Sequence, residues 1–292
     1  MKLYHLYGLA LASDFDCPEL TEITPDEATA RGYETVRLVR ATAPLTFPQG
    51  RQIASWASVT RDAAFYQFRD YARMLVERPD RVMVEMLPGA AERDMRAYLF
   101  GTGFGTLMHM RGLIPLHVSA ILTPEGVVAF TGPSGAGKST KVAELHLRHG
   151  WPLLCDDVAV LHPTDDRPLL HSGMNRIKLW KDAVERFDID PSRLTRDTMR
   201  NDKFHLHAPE MFVGEPLPLR ILYWIGERAN TTGETAHGQS FEILLNAVYR
   251  SELVPLFGDR GKLARDCMRF ADSLEVRFQA PRPRVHPTVG GE

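Results

Sequence analysis

Apolar and polar positions alternate through much of the first third of the chain. Thr35-Val-Arg-Leu-Val-Arg40 and Arg81-Val-Met-Val-Glu-Met86 switch with the period of two that a half-buried strand requires. Ala63-Ala-Phe-Tyr-Gln-Phe68 adds an aromatic-rich run, and Asp, Pro and Gly punctuate the intervals. Residues 1–90 therefore read as a small β-rich domain. After Pro88-Gly89 the period lengthens. Met95, Leu99, Phe104, Leu107 and Met108 fall near one stripe, predicting a core-facing helix from about Glu92 to Met110, with Gly112 just past its end.

Beyond that helix the segments alternate in type. Pro115–Leu122 and Val127–Thr131 read as strands joined by the turn Thr123-Pro-Glu-Gly126. Lys138 to His149 reads as a helix stopped by Gly150, and Leu153 to Leu161 as one strand carrying Asp156-Asp157 midway. Residues 165–215 are polar and mixed around a short apolar run at 177–180. Arg220–Ile225 predicts a buried strand, 228–240 an exposed loop, 241–251 and 260–272 helices, and Leu274–Phe278 a last strand. The proline-rich end, 281–292, reads as a loose tail after a second domain spanning 91–280. No internal repeat is visible. Strand, loop and helix in this order predict an α/β fold.

Composition narrows the class without changing this picture. With 292 residues, 44% hydrophobic and 25% charged, the chain has the balance of a globular protein able to bury a real core. A net charge of −2 gives no global pull toward nucleic acid or an anionic membrane, so neither is expected as a partner. Three widely spaced cysteines, Cys17, Cys155 and Cys267, form neither a disulfide framework nor a zinc spacing, which points to a reducing cytoplasm. The first residues resemble a signal peptide only faintly, because His5, two tyrosines and Gly8 interrupt the apolar run. No apolar stretch approaches the ~20 residues of a membrane-spanning helix.

The chemistry is concentrated between Gly132 and Asp157. Gly132, Pro133, Ser134, Gly135, Ala136, Gly137, Lys138 and Ser139, followed by Thr140, form a complete phosphate-binding loop between a predicted strand and a predicted helix. Glycines at 132, 135 and 137 let successive backbone N–H groups turn inward toward phosphate oxygens, and the helix start adds the positive end of its dipole. Lys138 would reach the β and γ phosphates and Ser139 would place its hydroxyl on Mg²⁺. Asp156-Asp157 follows 18 residues after Lys138, one helix and one turn away, and no Leu-Ser-Gly-Gly transporter signature is present. One carboxylate could serve Mg²⁺ while the other takes a proton from an incoming hydroxyl, provided the strand twists or bulges so that both face the site. Asp165-Asp166, in a Thr-Asp-Asp-Arg-Pro turn, reads as a solvated pair.

These residues resemble a known family. Arg111-Gly-Leu-Ile-Pro-Leu-His-Val-Ser-Ala, Phe130-Thr-Gly-Pro-Ser-Gly-Ala-Gly-Lys-Ser-Thr and Leu154-Cys-Asp-Asp-Val-Ala-Val look like the catalytic domain of HPr kinase/phosphorylase. They look closer still to the shorter HPr-kinase-like proteins of peptide-modification clusters, lasso-peptide clusters among them. The resemblance implies a P-loop kinase core related to the ATP-dependent phosphoenolpyruvate carboxykinases, with ATP and Mg²⁺ held at Gly132–Thr140. It makes Asp156 the general base, Asp157 the metal-side acid and His117 a histidine near the phosphates. A serine on a peptide or protein, a lasso precursor peptide included, becomes the expected acceptor, and self-association is expected because HPr kinases form oligomers. The Glu-x-Arg-Gly signature of the bacterial HPr kinases is missing, and the first 90 or so residues do not resemble their N-terminal domain.

Further cations are needed to stabilise charge on a transferring phosphoryl group. Arg176, Lys178, Arg200 and Lys203 are the candidates, on a segment that a mobile lid could form, with Arg250 a weaker one. His205 and His207 share one strand face but lack a third ligand for a metal. Trp180 and Trp224 read as core or edge aromatics. Two other functions fit the same residues: a kinase for a small hydroxylated metabolite, and a nucleotide-sensing protein that transfers nothing. An open sheet edge or groove would favour a peptide acceptor and a closed pocket a metabolite.

Overall fold

The computed structural model describes residues 1–47, 50–197, 202–208, 212–226 and 236–280. Arg200, the tail from 281 onward and most of the predicted 228–240 loop lie outside them. Among the described residues the chain is mixed α/β, with its strands in three sheets.

The first sheet contains β1 (Lys2–Leu6), β2 (Leu9–Ser13), β3 (Thr21–Glu22), β4 (Glu34–Arg40), β5 (Arg51–Ala54), β6 (Ala57–Val59), β7 (Ala63–Phe68), β8 (Ala72–Glu77) and β9 (Arg81–Met86), in the spatial order β3-β1-β2-β4-β9-β8-β7-β6-β5. β7 and β9 occupy the spans their patterns predict. Alternation does the work: Ala64, Tyr66, Phe68, Met74, Val76, Val82 and Val84 are buried on one face. That face meets α2 (Glu92–Tyr98) and α3 (Phe104–Met110), which a π-helical turn joins into the single predicted helix. Met95, Leu99, Phe104, Leu107 and Met108 are all buried there, and Gly112 follows at φ 72. The short helix α1 (Pro25–Ala30) went unpredicted although its signal is present. Thr24 accepts from Glu27 N–H at 3.2 Å while the Glu27 carboxylate takes Thr24 N–H at 2.7 Å, a capping box with Pro25 at the first position.

The second sheet runs β10 (Ile114–Leu116), β14 (Ala159–Leu161), β15 (Leu169–His171), β19 (Leu217–Ile225), β12 (Gly126–Thr131), β11 (Ser119–Thr123) and β13 (Leu153–Cys155), with β20 (Glu275–Gln279) added along β19. A third holds β16 (Arg176–Trp180), β18 (Lys203–His207) and β17 (Leu194–Arg196). Helix α4 (Lys138–His149) has its predicted span and ends at Gly150, φ 68. It packs Val142 and Ala143 against Val128, Phe130, Ile221 and Ile225 of β12 and β19, and against Ile177, Leu179 and Leu206 of the third sheet. The other face of β12 and β19 is covered by α6 (Ala236–Asn246) and α8 (Arg260–Ala271), which follow α5 (Lys181–Arg186) and flank α7 (Val254–Phe257).

Three expectations need correction. Residues 236–240 belong to α6 instead of a loop, and Ser240, buried there, donates to Leu274 C=O at 3.1 Å. The predicted strands 115–122 and 153–161 are each broken in two. Both break at the same level: β10 pairs β14 and β11 pairs β13, so two antiparallel neighbours bend together at His117–Val118 and Asp156–Val158. His117 N–H leaves the ladder for Ala247 C=O at 2.7 Å, and Asp157 takes φ 86. The third correction concerns the cations: Arg176, Lys178 and Lys203 stand on paired strands and not on a loop-like lid.

The first sheet docks on the rest through the β1–β2 turn. Tyr7 and Gly8, both at positive φ, form the tight hairpin. Tyr7 N–H bonds Ser172 C=O at 3.0 Å, and His162 Nε2 lies 2.9 Å from Tyr7 C=O. Beside it, Glu19 is clamped between Arg96 (3.0 Å) and Arg176 (3.5 Å), all three almost wholly buried.

Candidate functional site

The loop 132–137 leaves β12 and enters α4. Gly132 takes φ 137, and a side-chain carbon there would sit 2.3 Å from Ile225 C=O, so the adjoining strand β19 itself demands glycine. Gly135 and Gly137 take φ 81 and 101, which again exclude most side chains. Lys138 opens the helix with its ammonium turned back over the loop, donating to Gly132 C=O at 2.9 Å and Pro133 C=O at 3.1 Å. Burial lowers its pKa, while Asp156 and Asp157 pull it the other way. Lys138 is thus within electrostatic reach of both acids.

Asp156 and Asp157 lie at the joint break. Asp156 is 1% exposed; its Oδ1 accepts from Ser119 Oγ at 2.5 Å and its Oδ2 from Lys178 N–H at 2.7 Å. The positive φ of Asp157 swings its carboxylate out of strand alternation, so Oδ2 meets Lys178 Nζ at 2.6 Å and Oδ1 lies 3.9 Å from His117 Nε2. The bend that two adjacent carboxylates need is therefore present. Burial alone would raise the Asp157 pKa, but Lys178, His117 and Lys203 outweigh it and hold the carboxyl far below the usual range. Asp157 is an anion at any physiological pH. His117 is pushed the other way, first by burial and then by Lys138, so its ring is neutral near pH 7 despite the two acids. Tyr249 packs edge-on against it at 5.9 Å.

The third sheet supplies the cations. Its pairing puts Arg176, Lys178, Trp180, Lys203, His205 and His207 on one face, and Ile177, Leu179 and Leu206 on the opposite face toward α4. Lys178 and Lys203 both act on Asp157. Arg176 is 4% exposed and engaged by Glu19 and His205, so it braces the docking of the first sheet beneath the site. His205 is turned to Asp197 at 3.0 Å, a pairing that belongs to the network and not to a metal pair with His207. Arg250 lies beside Tyr249, its Nε 3.3 Å from the phenol oxygen. Trp180 is exposed at the sheet edge with Lys203 over its ring at 5.4 Å.

Sequence reading missed Ser119, Tyr7 and Asp197. Ser119 had a faint signal, two positions after His117 in Leu-His-Val-Ser, but its partner Asp156 is 37 positions away. Nothing local marks the other two. Among the described residues no three His, Cys, Asp or Glu side chains are arranged to hold a metal on their own. A Mg²⁺ ion needs no such cage, since phosphate oxygens and water fill most of its shell, and the hydroxyl of Ser139 and the anionic Asp157 are the hard oxygen donors it prefers. A cavity of about 350 Å³ lies elsewhere, beside α4 on the face of β12, β19 and β20, lined by Phe130, Lys141, Leu145, Trp151 and Tyr223; neither acid borders it. Compared with known proteins, the chain matches no family model and no curated protein sequence. No helix among the described residues is long and apolar enough to cross a membrane.

Proposed function

We propose that this chain is an ATP-dependent kinase that transfers the γ-phosphate to a serine hydroxyl of a peptide or protein. Its core would be a P-loop kinase domain of the HPr kinase and phosphoenolpyruvate carboxykinase type, preceded by a β-rich domain. One observation carries the reading. At the joint break of β10–β11 and β13–β14, two carboxylates, His117 and Lys178 converge within reach of Lys138, at the start of the helix that follows the glycine-rich loop.

The roles follow from the geometry. Backbone N–H groups of 132–137 and the Lys138 ammonium would cradle the triphosphate. Mg²⁺, held by Ser139 and Asp157, would neutralise charge between the β and γ phosphates. Asp156, held rigid by Ser119 and the Lys178 backbone, would accept the serine proton as the serine oxygen bonds the γ phosphorus and the bond to the β–γ bridging oxygen breaks. Lys138, Lys178 and Lys203 would stabilise the spreading negative charge. Neutral His117 can donate one hydrogen bond to a phosphate oxygen.

Serine as acceptor rests on the resemblance to the short HPr-kinase-like proteins. The first sheet ends in the edge strand β5, with Ile53 and Trp56 exposed at and beside it. This favours an extended peptide over a small metabolite. Transfer of labelled γ-phosphate from ATP to a serine-containing peptide library tests the reading, with Asp156→Asn as control. Equal inactivity of both proteins on every acceptor would sink it.

A further inference from the structure

Tyr7, in the β1–β2 turn, is where the first sheet meets Ser172 and His162. Its ring is 1% exposed, and its hydroxyl is buried without a hydrogen-bond partner among the described residues. Its backbone is pinned from both sides by Ser172 and His162, in a left-handed conformation at φ 56 that a bulky side chain seldom adopts. The ring packs beneath the turn that carries the acids. A side-chain carbon on Gly173 would stand 2.4 Å from Val158 C=O and 3.0 Å from the Tyr7 ring, so ring, glycine and turn are in close contact. Burial, then the charge on Asp157 and the neighbouring Tyr249 and Cys155, push the phenol well above its ordinary pKa against the opposing pull of Arg176. The hydroxyl lies within electrostatic reach of Asp157, Tyr249 and Arg176.

A buried hydroxyl with no partner among the described residues needs an explanation, and a partner brought into place by ligand binding is one. Its charged neighbours are Asp157 and Arg176; Oδ2 of Asp157 is engaged by Lys178 and its Oδ1 faces His117 at 3.9 Å. A divalent cation bound by that carboxylate would weaken its pairing with the Lys178 ammonium, and a neutral donor would then hold the acid. Carboxylates that bind metals are themselves held by hydrogen bonds from a second layer of residues.

We propose that Tyr7 is a positioning residue whose hydroxyl donates to Asp157 when the metal-bound nucleotide is in place, making the tip of the first sheet a working part of the site. This rests on the kinase reading above. Because Tyr7 belongs to β1–β2, movement of the first sheet on binding a peptide would be transmitted directly to the metal-side acid.

The test is Tyr7→Phe, which keeps the ring and removes one oxygen, and the first readout is binding instead of turnover. The melting temperature of the full chain is followed as Mg²⁺ is titrated at saturating ADP. Tyr7→Phe should melt at or slightly above wild type without ligand, and should need about 10- to 100-fold more Mg²⁺ for half of the ligand-induced rise. In peptide phosphorylation the same variant should raise the KM for Mg²⁺ and leave kcat at saturating Mg²⁺ within about threefold, a split that general destabilisation does not produce. An unmoved Mg²⁺ curve overturns the proposal, whether or not the ligand-free variant melts lower. If wild type itself shows no response to ADP and Mg²⁺, the nucleotide reading falls first, and the two failures are told apart by that control.

Discussion

Replacing Asp156 by asparagine separates its charge from its shape. The carboxylate accepts two hydrogen bonds, from Ser119 Oγ at 2.5 Å and from Lys178 N–H at 2.7 Å, at a position 1% exposed. An asparagine oxygen can keep the Lys178 bond, and its NH₂ can donate to the Ser119 hydroxyl, which serves as donor or acceptor. What is lost is the charge assistance of two bonds. Charged hydrogen bonds contribute about 1.5–3 kcal/mol and neutral ones about 0.5–1.5, so Asp156→Asn should cost about 1–3 kcal/mol in total. Asp156→Ala leaves both donors unpartnered in the interior and should cost about 2–6 kcal/mol. Urea unfolding at pH 7, read as a midpoint shift at constant slope, measures both. Turnover should tell a different story: loss of a positioned general base lowers the rate by about 10²–10⁴-fold in the asparagine variant despite its near-native fold. If the asparagine protein unfolds as easily as the alanine protein, the hydrogen-bond assignment is wrong. If it phosphorylates peptide within about tenfold of wild type, Asp156 is not the base.

Other outcomes follow from single contacts. Gly132→Ala forces a side-chain carbon to 2.3 Å from Ile225 C=O at φ 137, and should cost about 1–3 kcal/mol in stability together with measurable nucleotide affinity in a titration. Lys178→Met strips Asp157 of its 2.6 Å partner; as Asp157 is partly exposed, the loss should be about 1–2 kcal/mol by urea unfolding, and a neutral effect would show that His117 and Lys203 suffice. His5 and His171 are each held at about 4, His5 by burial with Arg31 and His171 nearby, His171 by burial with His162. Both are neutral when folded, whereas the unfolded chain takes up protons at about 6.5, so stability is full above that pH and falls as pH drops toward about 4, by about 1.4 kcal/mol per unit for each. A stability flat between pH 7 and pH 5 would refute this, and His171→Asn should lower the slope by its own share of about 1.4 kcal/mol per unit.

Much of the site was legible in the chain because its chemistry is local. Gly132, Gly135, Gly137, Lys138 and Ser139 fall within eight positions, and the proposed phosphate cradle needs only successive N–H groups and the start of one helix. Helix α4 was equally plain, with Gly150 closing it, and β9 followed from alternation and β7 from its aromatic-rich run. A pattern of period two states that a strand has a buried face. It does not state which strand lies beside it.

For that reason the tertiary structure decided what pattern could not. His117 and Asp156–Asp157 sit in two runs that each look like one unbroken strand, and each breaks only because its neighbour breaks at the same level. That shared bend turns both acids toward one place and gives Ser119 and the Lys178 backbone their partner in Asp156. Arg176 and Lys203 were equivalent cations in the chain; pairing of the third sheet put both on one face, and the docking of Glu19 buried the first while the second stayed near Asp157. Tyr7 and Asp157 stand 150 positions apart, beyond any local signal. Residue types and short spacings determined which candidate groups this chain carries. Long-range strand pairing and the docking of one sheet on another decided which of those groups meet, because burial and electrostatic reach are properties of neighbours in space.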